Sequence, residues 1–373
     1  MDGHNYIVFG AGRQGLAALY DLVIHCDAAR VIAFEPDARR RKAAAARTAK
    51  LLGKRARRVE FPASVSDAEL KRADVVLSCA PYSKNLALTE RAVAAGVAFC
   101  DLGGNPVVVA AQEKLARKTE TAVVPDCGVS PGLSNILAVH CAKVLGCDTV
   151  RVRCGGLPLV RPDPRTNPLG YKLVFSSAGL ISEYSGQVPV IVKGKCTSVA
   201  ALSVVERFED AFESSPTSNN SPQIVAYLRS IGVRDYDYMT LRYEGHWDQV
   251  RGWKVLGYLQ GDAARDAELA RALEADEALH YDPARDADRL VLSVRGSRKA
   301  SSLEHGFSYR LDVPADRKTR LTAMELTTSW GITIVAHHMA QGRGAPRGFS
   351  TPERFVDTAW VIAEVERRLV ALA

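Results

Sequence analysis

The sequence lacks the features that mark membrane, zinc-binding and disulfide-rich proteins. No apolar run approaches the roughly 18 residues that a membrane-spanning helix requires. The eight cysteines are scattered and none forms a C-x-x-C pair, which predicts neither a zinc site nor a disulfide framework. No signal-peptide pattern precedes the first apolar segment. We therefore expect a reduced, cytoplasmic protein of ordinary composition, 47% hydrophobic and 24% charged, with no membrane partner.

The chain also lacks a widespread basic surface, despite a formal net charge of +7. Arg39–Arg58 contains ten Lys and Arg residues and no acidic residue, so removing these ten charges leaves −3 for the rest. This alanine-rich segment is predicted to be a solvated outer helix, because a run of charges is most often a solvated face. We expect no nucleic-acid partner, and a polyanion site is the alternative interpretation.

A glycine motif follows the first apolar strand. Residues 7–17 read IVFGAGRQGLA, which places Gly10-x-Gly12-x-x-Gly15 at a strand-to-helix junction. The first glycine allows a tight turn, the second lets a pyrophosphate approach the backbone, and the third lets the helix lie close to the strand. Glu35 ends the second apolar strand 20 residues beyond Gly15, where an acidic side chain binds ribose hydroxyls. The sequence predicts a dinucleotide-binding Rossmann domain.

The same region bears on the choice between NAD and NADP. Arg39 and Arg40 begin close enough to the ribose position to accept a 2′-phosphate. A carboxylate at Glu35 would repel that phosphate. We therefore predict NAD as the cofactor, with NADP less favoured.

Strands and helices alternate from the start of the chain through residues 130–132, as a parallel doubly wound sheet requires. Predicted strands end beside Pro81, Asp101 and Asp126. In open parallel sheets, ligands collect beyond the carboxyl ends of the strands. The predicted cofactor site comprises Gly10, Gly12, Arg13, Gln14, Gly15, Glu35, Ser78, Cys79, Ala80, Pro81 and Asp101.

From about Val150 the pattern changes to strands with few helices between them, which predicts a mixed or antiparallel sheet. The predicted strands are Val150–Cys154, Val188–Val192, Tyr238–Tyr243, Arg289–Val294, Phe307–Val313 and Thr319–Leu326. Glu213–Pro222 is predicted to be a polar loop and Asp262–Asp288 a charged insertion. Helical patterns at Thr328–Gln341 and Pro352–Leu372 close the chain. A length of 373 residues favours two domains, which we place at 1–149 and 150–327, followed by C-terminal helices over 328–373.

Four motifs, in order along the chain, resemble one family. They are the N-terminal fingerprint, the D-x-G-x-x-P-G-L-x-N turn at Asp126–Asn135, Gly155–Pro158 with Asn167–Lys172, and Leu241–His246. A weaker match is Thr327-Thr328 with Pro352-Glu353. Together these segments resemble the saccharopine dehydrogenase and lysine 6-dehydrogenase family.

The resemblance implies an α/β fold in which a Rossmann domain is followed by an α+β substrate and dimerisation domain. It implies C-terminal helices that return to the first domain, and a homodimer or homotetramer. Family members oxidise or form a C–N bond with a nicotinamide cofactor. Glu35 and Gly170 point, within this resemblance, toward the lysine-oxidising branch.

The prediction is therefore NAD-dependent oxidation of the ε-amine of L-lysine to the semialdehyde, which cyclises to an imine. One alternative is a dehydrogenase or reductase of the saccharopine or carboxynorspermidine type. Another is a nucleotide-sensing protein without turnover.

Hydride removal from an aminomethyl carbon requires a neutral amine, and lysine's amine has a pKa of ~10.4. The site must therefore desolvate the amine or supply a base, and the candidates are Lys172, His246 and Asp126. Arg242 is a candidate partner for the substrate carboxylate. The predicted substrate site comprises Arg242, Tyr171 and Gly128.

Two other features predict no chemistry of their own. His337 and His338 are adjacent in an apolar helix, so they point about 100° apart and do not chelate one metal. Ser130 does not lie in a G-x-S-x-G elbow, which leaves hydrolase chemistry without support. We expect no metal site.

Overall fold

The computed structural model describes residues 3–209, 211–218, 221–282, 284–300, 303–343 and 346–372. The chain forms two compact units. One runs up to Ile136 and resumes at Glu325, and the other comprises Leu137–Met324. In the described part of the chain, we find no helix with the length and apolar character needed to cross a bilayer.

The first unit is built on a parallel sheet. Its strands are β1 (His4–Phe9), β2 (Ala28–Phe34), β3 (Val59–Glu60), β4 (Val75–Ser78), β5 (Ala98–Asp101) and β6 (Val123–Val124). Their order in the sheet is β3-β2-β1-β4-β5-β6, and every pairing is parallel. All four residues of β4 are buried, as expected for a strand covered on both faces. The predicted doubly wound α/β fold is confirmed.

Helices follow these strands, and the last of them, α6, continues into the second unit. They are α1 (Arg13–His25), α2 (Ala38–Leu52), α3 (Asp67–Leu70), α4 (Asn85–Ala95), α5 (Pro106–Ala116) and α6 (Leu133–Lys143). Asn105 accepts two backbone N–H groups at the start of α5, and Asp37 accepts that of Arg40 at the start of α2. Gly12 precedes α1 without a side-chain cap among the described residues. The basic segment is formed by α2 and a 3₁₀ helix, Gly53–Arg58, and most of its Lys and Arg side chains are exposed.

The second unit contains a mixed sheet. Its elements are β7 (Thr149–Pro158), α7 (Ser177–Glu183), β8 (Gln187–Val192), β9 (Lys195–Ala200), β10 (Glu206–Phe208), β11 (Phe212–Pro216), α8 (Pro222–Ser230), β12 (Asp235–Tyr243), α9 (His246–Val255), α10 (Ala263–Ala275), β13 (Asp288–Ala300) and β14 (Leu303–Pro314). The strand order is β10-β11-β12-β7-β13-β14, and β8 and β9 extend from β12. Only the β12–β7 pair is parallel among the pairings described. Its core includes Tyr171, Leu180, Tyr184, Trp247 and Val250.

Five of the six strands predicted for this region lie within β7, β8, β12, β13 and β14. The sixth, Thr319–Leu326, is wrong because a helix begins at Ala323. The Asp288 carboxylate accepts the backbone N–H groups of Ala323 (2.7 Å) and Met324 (3.1 Å), and this cap favours the helix over an extended chain.

Two predicted irregular segments contain regular structure. The predicted loop Glu213–Pro222 begins within β11, because Ser214 and Ser215 are buried where that strand pairs with β12. Residues 219–220 of that prediction lie outside the described residues. The predicted insertion Asp262–Asp288 contains α10, which Asp262 caps, and its residue 283 is also outside the description.

The last helices belong to the first unit. They are α11 (Ala323–Ala340), which crosses the unit boundary near its start, α12 (Pro352–Phe355) and α13 (Thr358–Leu372). The single helix predicted over Pro352–Leu372 is therefore two, because the backbone of Val356 is extended. The buried Arg368 of α13 donates to both carboxylate oxygens of Asp21 on α1, at 2.8–3.1 Å. This ion pair packs the C-terminus against the Rossmann sheet's first helix.

Candidate functional site

The glycine loop after β1 is tightly packed at two positions and open at one. A Cβ on Gly15 would stand 1.8 Å from the Gly10 carbonyl oxygen, and one on Gly10 would stand 2.8 Å from the Ala80 nitrogen. Gly10 also has φ +92°, which disfavours other residues. A Cβ on Gly12 would meet nothing within 4 Å. Open space beside Gly12, at the uncapped start of α1, fits a pyrophosphate group.

Glu35 is turned toward the backbone at the end of β2. Its Oε2 accepts the Ala11 N–H and its Oε1 accepts the Asp37 N–H, both at 3.4 Å. The side chain is only 9% exposed. Arg39 and Arg40, in the first turn of α2, are exposed. The carboxylate therefore joins two loops, while the two guanidinium groups reach solvent.

The other residues predicted to contact the cofactor differ in how deeply they are buried. Ser78 is fully buried, and its hydroxyl donates to Asn85 Oδ1 at 2.8 Å. Cys79 lies against the glycine loop, and burial raises the pKa of its thiol. Ala80 is half-buried and Pro81 is exposed.

Arg13 and Gln14, also predicted to contact the cofactor, lie in the first turn of α1. Arg13 Nε donates to Glu325 Oε1 at 2.8 Å. The side-chain oxygen of Gln14 is buried and has no hydrogen-bond partner among the described residues. The cofactor roles of these residues stay predictions.

Two carboxyl groups lie at the carboxyl ends of β5 and β6. Asp101 accepts the Gly103 N–H at 2.7 Å and the Gln112 amide at 2.6 Å, yet burial raises its pKa to about 6. Asp126 is 4% exposed, and burial, followed by the charges of Asp101 and Glu353, raises its pKa to about 8. Asp126 is therefore mainly protonated at neutral pH, and it becomes able to accept a proton as the pH rises above about 8.

The backbone holds Asp126 in this position. Its φ is +61°, an uncommon conformation for a residue with a side chain. A Cβ on Gly103 would stand 1.9 Å from Asp126 Oδ1, so only glycine leaves room for the carboxyl group. Gly128, a predicted substrate residue, follows in the same turn and pairs with Gly132 in an isolated bridge.

Because burial raises the pKa of Asp126, we predict that the free energy of unfolding falls as the pH rises. Between the unfolded pKa near 3.8 and the folded pKa of about 8, the folded protein keeps a proton that the unfolded chain has released. We expect the free energy of unfolding to fall by about 1 kcal/mol or more between pH 5 and pH 8. Urea unfolding across this range measures the loss.

Asp126→Asn should flatten that dependence, because asparagine does not titrate. Asp248→Asn, at an exposed residue of α9, is the matched control and should keep the wild-type slope. An Asp126→Asn protein with the full wild-type pH dependence would show that this dependence does not come from the raised pKa of Asp126.

In the second unit, the predicted carboxylate-binding residue Arg242 is fully buried. Its Nε donates to Tyr184 Oη at 2.8 Å, and its guanidinium lies 4.8 Å from the Tyr171 ring centre. Its Nη2 is 3.7 Å from Glu183 Oε2, and Glu183 is also buried. The structure thus places Arg242 inside a protein network rather than at a surface.

His246 belongs to the same network. Its Nδ1 donates to the Leu169 carbonyl at 2.9 Å, so its Nε2 accepts from the Tyr184 hydroxyl at 2.9 Å. Burial, followed by the charge of Arg242, lowers the pKa of His246 to about 3. The ring is therefore neutral at ordinary pH, and it would act as a base only by releasing Tyr184.

The side chain of Lys172 is also hydrogen-bonded within the protein. Its Nζ donates to Asp286 Oδ2 at 2.8 Å and to the His280 carbonyl at 3.1 Å. The adjacent Tyr171 hydroxyl is buried without a hydrogen-bond partner in the described part of the chain. The structure therefore groups Tyr171, Arg242 and His246, whereas Lys172 pairs elsewhere. The catalytic and substrate roles of these residues stay predictions.

The sequence patterns do not single out Glu183, Tyr184 or Glu353 as candidate site residues. Glu183 and Tyr184 lie at the end of α7 with no motif around them. In the sequence, Glu353 belongs only to a weak family match. Its Pro-Glu pair at a helix start was the one available signal.

Two family models match the chain and together cover nearly all of it. The NADP-binding domain of saccharopine dehydrogenase matches residues 6–125, and the saccharopine dehydrogenase C-terminal domain matches residues 128–370. The chain belongs to the saccharopine dehydrogenase family.

Individual relatives are distant. Saccharopine dehydrogenase [NADP(+), L-glutamate-forming] of Pyricularia oryzae is 23% identical over 211 residues, 52% of this chain and 46% of that protein. Mitochondrial alpha-aminoadipic semialdehyde synthase of Mus musculus is 24% identical over 206 residues, 51% of this chain and 22% of that protein. These matches span less than half the length of either relative.

A solved structure extends the likeness to the whole fold. Apo saccharopine dehydrogenase (L-Glu forming) of Saccharomyces cerevisiae matches with a TM-score of 0.74 and 16% identity over 98% of each chain. At that identity the likeness establishes the fold.

The prediction of NAD as the preferred cofactor is wrong. The matching N-terminal domain is an NADP-binding domain, and the relatives from P. oryzae and Schizosaccharomyces pombe are NADP(+) enzymes. The prediction assumed a Glu35 carboxylate free to bind the ribose. In the structure both of its oxygens accept backbone N–H groups, and the exposed charges beside it are those of Arg39 and Arg40.

Proposed function

We propose that this protein is an NADP-dependent oxidoreductase that acts on the secondary-amine C–N bond of saccharopine or a close analogue. The observation that carries the proposal is the ordered match of both saccharopine dehydrogenase domains over residues 6–370. The open glycine loop beside Gly12 supports it. The saccharopine-type alternative is therefore preferred to oxidation of L-lysine.

The reaction would convert a secondary amine and water into a primary amine and a carbonyl compound. When bound, NADP⁺ would supply the acceptor for the hydride that leaves the carbon attached to nitrogen. The amine nitrogen must first lose its proton, so that its lone pair forms the imine that water then hydrolyses. The loop Gly10–Gly15 would bind the pyrophosphate, and Arg39 with Arg40 the 2′-phosphate. Asp126, at the carboxyl edge of the parallel sheet, is our candidate for the proton acceptor.

Turnover with defined substrates tests the proposal. Purified protein is incubated with NADP⁺ and saccharopine, L-lysine or carboxynorspermidine, and NADPH absorbance is followed. NADPH formed with saccharopine and glutamate released in equal amount would support the proposal. Oxidation of L-lysine alone would restore the lysine 6-dehydrogenase prediction, and dinucleotide binding without turnover would indicate a sensor.

Arg39 and Arg40 should determine the preference for NADP. Changing both to Gln is expected to raise the KM for NADP⁺ by about tenfold or more, because a bidentate guanidinium–phosphate contact is lost. The KM for NAD⁺ should change little, since NAD⁺ lacks the 2′-phosphate. Initial rates with the two cofactors measure the difference.

The same basic segment provides the control. Arg55 and Arg57 are exposed residues of the 3₁₀ helix after α2, and changing both to Gln removes the same charge. Turnover should stay within about twofold of wild type, because solvated charges contribute little. An equal loss in both double variants would mean that the whole segment attracts the cofactor through its net charge.

A further inference from the structure

Two buried oxygen atoms near Asp126 lack hydrogen-bond partners among the described residues. Glu353 is 2% exposed; its Oε1 accepts from the Thr351 hydroxyl at 2.6 Å, but its Oε2 has no partner. Thr328 Oγ1 is also buried and unpartnered. Buried polar atoms are almost always hydrogen-bonded, so each of these atoms indicates a partner other than the described residues, such as a bound ligand.

Both atoms belong to segments that pack around the turn after β6. Thr328, in α11, lies beside this turn, with its methyl carbon 3.8 Å from the position that a Cβ on Gly128 would take. Glu353 lies in α12, and the segment leading into this helix is hydrogen-bonded to β6: the Val123 N–H donates to the Gly348 carbonyl at 2.9 Å and the Ser350 N–H to the Val123 carbonyl at 3.1 Å. Asp126 is held in this turn at a positive φ. Strained residues of this kind concentrate at functional sites.

The oxygen atoms of Asp126, Glu353 and Thr328 are best matched by a cation that donates hydrogen bonds. Carboxylate oxygens accept hydrogen bonds and favour positive charge, and a hydroxyl also accepts. An ammonium group supplies N–H donors to several acceptors at once. A divalent metal fits less well, because no group of three His, Cys, Asp or Glu residues able to hold a metal is found in the described ranges.

We propose that Asp126 and Glu353 bind the protonated nitrogen of an amino-acid-derived substrate, with Asp126 accepting the proton that this nitrogen must lose. The proposal rests on the proposed function, since it places the reacting amine of that reaction. In the step, the N–H bond breaks and an O–H bond forms on Asp126. The freed lone pair then makes the C=N bond as the hydride leaves the adjacent carbon for NADP⁺.

The groups acting on this site set its pH dependence. Burial, followed by the charges of Asp101 and Glu353, raises the pKa of Asp126. Burial also raises the pKa of Glu353, and the charge of Arg354 opposes that shift. Since Asp126 accepts the proton only when ionised, kcat/KM should rise with pH through a value near 8. Removing the charge of Glu353 should move this rise to lower pH, because the repulsion that holds the proton on Asp126 is weakened.

Glu353→Gln tests the proposal through binding and through the pH profile. We expect calorimetry to show saccharopine binding at least about tenfold weaker than to wild type. A saccharopine analogue with an ether oxygen in place of the nitrogen should bind wild type and variant alike. Glu366→Gln, at an exposed residue of α13, is the matched control and should change neither value.

Asp126→Asn provides the second variant, in case Glu353→Gln does not fold. It should lower kcat by ~10²–10⁴ and abolish the alkaline rise while NADPH still binds. Thermal melting of each variant checks that it is folded.

The outcomes separate this proposal from the proposed function. Saccharopine turnover by wild type with an unchanged pH rise and unchanged affinity in Glu353→Gln would overturn this proposal alone. Equal weakening of the amine and the ether would also overturn it, because it would indicate a structural role. Absence of turnover would reject the proposed function, and a selective loss of saccharopine or L-lysine affinity in Glu353→Gln would still support the cation site. If wild type binds neither amine, both proposals fail.

Discussion

Gly12→Val is expected to abolish NADPH binding while leaving the protein folded. A Cβ at Gly12 would meet no heavy atom within 4 Å beyond its neighbours in the chain, so we expect the native packing to be kept. It would occupy the space that the pyrophosphate needs, and we expect an affinity loss on the order of 100-fold or more. Fluorescence titration with NADPH measures the affinity, and thermal melting measures the stability.

Two further variants make the interpretation specific. Gly252→Val adds the same side chain at an open position in α9, and it should leave NADPH affinity unchanged. Gly15→Ala places a Cβ 1.8 Å from the Gly10 carbonyl oxygen, so it should lower both the affinity and the melting temperature. Normal NADPH affinity in Gly12→Val would show that the pyrophosphate does not lie at this loop.

Arg242→Ala is expected to destabilise the protein by about 3–5 kcal/mol, since it leaves a buried acidic partner uncompensated. Arg242 is 2% exposed, its Nε donates to Tyr184, and its charge faces the buried Glu183. Urea unfolding measures the loss. Arg207→Ala, at an exposed residue of β10, is the control and should stay within about 0.5 kcal/mol of wild type.

The same variant decides between two interpretations of Arg242. The sequence predicts a contact with the substrate carboxylate, and removal of that contact would chiefly raise KM. The structure predicts a loss of stability, because the guanidinium is enclosed by Tyr171, Tyr184 and Trp247. A stable Arg242→Ala protein with a raised KM would support the sequence interpretation.

Local patterns predicted much of the first unit. The spacing of Gly10, Gly12 and Gly15 between a strand and a helix is a local requirement of one turn, and the structure reproduces it. Predictions from local sequence patterns were wrong where residues distant in the chain determine the local secondary structure. Thr319–Leu326 alternates like a strand, but Asp288 caps a helix beginning at Ala323.

Predictions of chemistry depended still more on tertiary structure. Glu35 stands at the sequence position of a ribose-binding acid, yet its oxygens accept N–H groups from Ala11 and Asp37. His246 has the unperturbed chemistry of a base near neutral pH, but burial and Arg242 lower its pKa to about 3. A residue type indicates what a group is able to do, and its surroundings set whether it does so.

The amino-acid order was enough to predict the family, the dinucleotide loop and the alternation that builds a parallel sheet, because each depends on residues close together in the chain. Which carboxyl groups share an environment depends on how the chain folds. Asp126 and Glu353 are far apart in the chain, and folding brings them close enough for the charge of Glu353 to shift the pKa of Asp126. Such an effect depends on burial and on distance through space, and neither quantity is written in the order of the residues.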